Sequence, residues 1–211
     1  MMRRRDCLLT ACHCSLWALP AMAAAPKAPL ILVVGDSISA EYGLARGQGW
    51  VALLAQRLTE KKLTQQVQNA SISGDTTSGG LARLPALLQQ YRPTVVIIEL
   101  GGNDALRGLP LANSRANLKA MVQASKSAGA KVLLLGMQVP PNYGASYQRE
   151  FSAMFEQVAR EERTRLVPFL LKGIGDQADA QAWFQPDRIH PLARAHPLML
   201  ELVWQGLKPL L

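Results

Sequence analysis

Hydrophobic and polar positions alternate between two textures along this chain. Short, continuous apolar runs rich in β-branched residues stand at residues 30–35, 67–70, 94–100, 131–136 and 166–169, each the length of a strand. Between and after them lie longer amphipathic stretches of helical length, at residues 49–62, 77–90, 111–128, 146–162 and 191–210. Leu30-Ile31-Leu32-Val33-Val34 and Val95-Val96-Ile97-Ile98 are apolar on both faces, which suits parallel strands covered by helices on each side. The pattern predicts an α/β fold: a three-layer α/β/α sandwich around a five-stranded parallel sheet. No internal repeat or linker divides it. Residues 172–187 form the longest stretch without a clear period, and a long ordered loop often carries function.

The first residues follow a different rule. Arg3, Arg4, Arg5 and Asp6 precede an apolar stretch from Cys7 that ends in small residues at Ala21-Met22-Ala23, the layout of a secretory signal peptide. The chain is therefore read as a cleaved leader, residues 1–23, and a single domain, residues 24–211, exported to the periplasm or secreted. A retained anchor fits less well, because the stretch is short and interrupted by His13, Trp17 and Pro20. Leu9-Thr10-Ala11-Cys12 resembles a lipidation site, but the apolar run before Cys12 is too short for one.

Removing Arg3, Arg4, Arg5 and Asp6 with the leader takes the formal charge from +8 to +6. It also removes Cys7, Cys12 and Cys14, all the cysteines of the chain, so the exported domain has no disulfide framework and relies on its core. With 49% hydrophobic and 18% charged residues in the whole chain, that core is affordable in size for one domain. The basic residues are scattered, with no run longer than Lys61-Lys62, so no nucleic-acid surface is legible. No zinc-type cysteine spacing exists either, and no metal or cofactor is expected.

In open α/β sheets ligands collect beyond the carboxyl ends of the strands. The first strand ends in Gly35-Asp36-Ser37, the second leads to Ser73-Gly74-Asp75, and the third to Gly101-Gly102-Asn103-Asp104. Each alone reads as an ordinary turn or cap. The chemistry comes from Asp187-Arg188-Ile189-His190-Pro191. Serine catalysis needs a base near neutral pKa and an acid that fixes its tautomer. A carboxylate three residues before an imidazole reaches Nδ1 within one turn and leaves Nε2 for a hydroxyl. His196, the other histidine of residues 24–211, has no such acidic partner in sequence and is read as structural. Asp36, Asp75 and Asp104 are read as loop braces.

These blocks resemble the SGNH, or GDSL-like, hydrolases: Gly35-Asp36-Ser37, Gly74, Gly102-Asn103-Asp104, and Asp187 with His190, in the family's order. Within that family, residues 35–44 (GDSISAEYGL), 69–75 (NASISGD), 80–85 (GLARLP), 99–104 (ELGGND), 141–144 (PNYG) and 187–191 resemble the exported bacterial thioesterase I, lysophospholipase and arylesterase group. One departure from the family's usual first block is Ile38-Ser39, where many members carry leucine after the serine. The resemblance implies a flavodoxin-like fold, a Ser37–His190–Asp187 triad, and an oxyanion hole from the N–H groups of Ser37 and Gly74 and the amide of Asn103.

It further implies that Leu106, Leu109, Pro110, Pro141 and Tyr143 line an apolar groove for an acyl chain. The expected substrate is a small acyl ester, thioester or lysolipid, hydrolysed by a monomer without a stable membrane span. Two alternatives remain open: a carbohydrate O-deacetylase with the same catalytic set, and a non-catalytic binding module. A nucleotide site is disfavoured, because no G-x-G-x-x-G or P-loop pattern follows a strand.

Overall fold

A computed structural model describes residues 28–211; the expected leader and Cys12 lie outside the described residues. Five strands form one parallel sheet in the order β2-β1-β3-β4-β5. They are β1 (Leu30–Gly35), β2 (Gln66–Asn69), β3 (Val95–Glu99), β4 (Lys131–Leu135) and β5 (Arg165–Val167). Every residue of β1 and β3 is buried, as their two-sided apolar sequences require. At the edge, β2 reads QVQN and is only partly covered.

The chain winds outward in two directions from β1. α1 (Trp50–Glu60) connects β1 to β2, and α2 (Thr77–Tyr91) crosses back to β3. α4 (Leu111–Ser127) and α5 (Ala145–Glu161) then carry it through β4 to β5, and α6 (His196–Leu207) returns to pack on α1. Right-handed crossovers put α1 and α6 on one face and α2, α4 and α5 on the other. The direction of winding reverses between β1 and β3, which opens a crevice at their carboxyl ends.

Two local expectations change. Gly101 to Asp104, read as a turn, leads into the short helix α3 (Gly102–Leu106). Gly101 makes this possible by taking φ +122° at the helix cap, a conformation closed to most side chains. The last helix begins at His196, not at residue 191. Pro191 is held instead in an antiparallel bridge to Phe184, while Pro197 occupies the first turn of α6, where a missing N–H costs nothing. The patternless 172–187 segment is built of turns and a 3₁₀ helix, Ala180–Trp183.

Candidate active site

Ser37 sits immediately beyond β1 with 9% of its surface exposed. Its Oγ lies 2.8 Å from His190 Nε2, and His190 Nδ1 lies 2.7 Å from Asp187 Oδ2. The other Asp187 oxygen accepts the backbone N–H groups of Ile189 and His190 at 2.9 and 3.0 Å. Arg188 permits this doubling back by adopting a left-handed φ of 60°, at a modest strain for a non-glycine residue. Burial works against ionisation of Asp187, yet the N–H donors of His190 and Ile189 and the imidazole hold its carboxyl below the usual range. The imidazole is thus oriented by a carboxylate that stays ionised.

The loop carrying this pair is stitched to the segment that follows β1. Gln185 donates its backbone N–H to the His190 carbonyl at 2.8 Å, and its side-chain amide donates to the Tyr42 carbonyl at 2.9 Å. His196 also supports it. Fully buried at 1% exposure, it accepts the Trp50 N–H on Nδ1 at 3.0 Å and hydrogen-bonds the Pro191 carbonyl on its other side. The expected structural role becomes specific: His196 ties the start of α1 to the residue after His190.

Gly74 lies in the loop after β2 and Asn103 in the first turn of α3 after β3, beyond the strands on either side of β1. Gly74 takes φ +78°, so glycine is required there by backbone conformation. Its carbonyl accepts from Arg107 at 2.7 Å, which ties it to the end of α3. Arg83 braces the same loop, bonding Asp75 at 2.8 Å and the carbonyls of Ala70 and Gly35. Asn103 donates Nδ2 to Asp36 Oδ2 at 3.0 Å, and the other Asp36 oxygen accepts the Ile38 N–H. Asp104 is buried and receives the N–H and hydroxyl of Thr77 and the hydroxyl of Ser114. Asp36 and Asp75 brace loops, whereas Asp104 ties the first turns of α2 and α4 together.

The apolar residues fall into two groups. Leu106, Leu109 and Pro110 are exposed after Asn103. Tyr143 is half-buried and stacks on Tyr147 at 5.7 Å, whereas Pro141 beside it is exposed. Two features escaped the sequence reading. Tyr42 places its ring 4.3 Å from that of His190, and Glu99, the last residue of β3, is completely buried beside Asp36 and Ser39. A carboxylate closing the apolar run Val95-Val96-Ile97-Ile98 is the signal that would have found Glu99. Among the described residues no three His, Cys, Asp or Glu side chains gather as metal ligands.

Esterase TesA of Pseudomonas aeruginosa is 52% identical over 207 residues, covering 98% of this chain and 100% of that protein. Thioesterase 1/protease 1/lysophospholipase L1 of Escherichia coli is 40% identical over 186 residues, covering 88% of this chain and 86% of the relative. A crystal structure of TesA superposes with a TM-score of 0.83 at 55% identity, covering 86% of this chain and 99% of that one. Residues 33–198 match the GDSL-like Lipase/Acylhydrolase family, and the chain belongs to that family.

Proposed function

We propose that this protein is a serine esterase that hydrolyses acyl esters and thioesters, lysophospholipids among them, through a covalent acyl-enzyme. The observation that carries the reading is the hydrogen-bonded sequence from Ser37 Oγ through both nitrogens of His190 to Asp187. His190 removes the Ser37 proton as Oγ attacks the acyl carbonyl, and returns it to the departing alcohol or thiol. Asp187 keeps the Nδ1 proton in place and stabilises the imidazolium. A water molecule, deprotonated by the same imidazole, then releases the fatty acid.

The oxyanion of each tetrahedral intermediate is held by the N–H groups of Ser37 and Gly74 and by Asn103 Nδ2. Asn103 suits this role because it offers an N–H without a charge that would pair with the base. The exposed side chains of Leu106, Leu109 and Pro110, with Tyr143, take the acyl chain. The printed activities of the relatives, esterase and thioesterase 1/protease 1/lysophospholipase L1, support this substrate class. The leader-like residues 1–23 support export, and the domain acts as a monomer.

Hydrolysis of p-nitrophenyl esters of increasing chain length by the purified protein, with Ser37→Ala as the blank, tests the reading. Serine-dependent turnover reaching medium or long chains is the expected result. Turnover of acetate alone would replace it with a deacetylase, and none from folded protein would replace it with a binding module.

A further inference from the structure

β1 and β3 run in register so that Gly35 lies opposite Glu99. A Cβ on Gly35 would come within 2.8 Å of Glu99 Oε2 and of Ser39 Oγ, so the glycine before Asp36 is what leaves room for a carboxyl group. Glu99 has no exposed surface. Its Oε2 accepts the Ser39 hydroxyl at 2.7 Å and the Asp36 N–H at 3.3 Å. Ser39 in turn accepts Trp50 Nε1 at 3.2 Å. The second oxygen, Oε1, is buried and meets no donor. A buried polar atom left in that state is costly unless it carries a proton of its own.

We propose that Glu99 is a positioning residue for the oxyanion hole, holding Asp36, and through Asp36 the Asn103 amide, in the orientation that the tetrahedral intermediate requires. This rests on the role proposed above for Asn103. A primary amide has two N–H groups. Asp36 takes one of them at 3.0 Å, which fixes the plane of the amide and leaves the other for the oxyanion.

Burial pushes the carboxyls of both Asp36 and Glu99 upward, Asp36 to about 6 and Glu99 well above its usual range. Burial favours the neutral form of Glu99, which hydrogen-bonds the Asp36 carboxyl, and Asp36 is the acceptor that anchors Asn103.

The test is a double-mutant cycle on ester hydrolysis. Glu99→Met fills the same volume without polar atoms and is expected to lower kcat by about 10- to 100-fold, with KM and thermal unfolding little changed. Glu99→Gln, a neutral side chain that can both donate to Asp36 and accept from Ser39, is expected to rescue most of that loss. In an Asn103→Ala background Glu99→Met should cost less than about threefold, because the group it positions is gone.

Losses that multiply in the cycle, or a folded Glu99→Met with native kcat, would overturn the role of Glu99 alone. So would a Glu99→Gln as impaired as Glu99→Ala, a comparison that stands even where the Met variant does not fold. An Asn103→Ala enzyme with unchanged kcat would instead overturn the oxyanion assignment beneath it.

Discussion

The aromatic ring of Tyr42 lies 4.3 Å from the imidazole of His190, inclined to it by 35°. Tyr42 is half exposed, at 51%, and its loop is fastened by Glu41, whose carboxylate accepts the N–H groups of Gly47 and Gly49. An imidazolium formed during acyl transfer would meet the negative face of that ring. Such contacts at exposed sites are worth about 0.5–1 kcal/mol. Tyr42→Leu is accordingly expected to lower kcat by about two- to fivefold, and Tyr42→Phe to retain it. Equal losses in both would assign the effect to the hydroxyl rather than the ring.

Asp187 gives the sharpest mutational expectation. In Asp187→Asn, the oxygen remains with the backbone N–H groups of Ile189 and His190, so the new NH₂ faces His190 Nδ1 and imposes the wrong tautomer. kcat should fall on the order of 10⁴-fold while the fold is kept. A variant retaining a tenth of native turnover would move the orienting role to another carboxylate.

His196 makes stability depend on pH. Burial lowers its pKa, opposed by its hydrogen bond to Pro191 and by the charge of Glu41. The unfolded chain takes up a proton near its ordinary value of 6.5 while the folded one stays neutral, so the unfolded state binds more protons there. Stability thus rises with pH up to the unfolded value and is lost as pH falls below it. His196→Asn keeps an acceptor for the Trp50 N–H but cannot titrate, so the stability gap between wild type and variant should narrow from pH 7 to pH 5. A gap independent of pH in urea titrations would mean that His196 stays uncharged in both states or charged in both.

Leu109, 37% exposed, is one of the side chains proposed above to take the acyl chain. Leu109→Ser should reduce kcat/KM for medium-chain esters by about tenfold, as lost apolar contact dictates, and leave the acetate ester nearly unchanged. An unaltered chain-length profile would place the acyl chain elsewhere.

Much of this molecule is written locally. The continuous apolar runs of β1 and β3 can only be two-sided buried strands, and the periodic stretches between them can only cover a parallel sheet, so the architecture follows from the pattern and the handedness of crossovers. The three-residue spacing of Asp187 and His190 is likewise a local fact, and a single turn suffices to pair them.

What the sequence left open depends on which strand ends become neighbours. Gly101 to Asp104 reads as a turn until a glycine at φ +122° starts a helix there. The role of Glu99 exists only because β1 pairs with β3 and sets Gly35 opposite it. His196 lacks an acidic neighbour in the sequence, and its partner Trp50 is supplied by the packing of α6 on α1. Hydrogen bonds and desolvation act between atoms that tertiary packing brings within about 3 Å, and a linear pattern, which encodes faces and turns, does not record those distances.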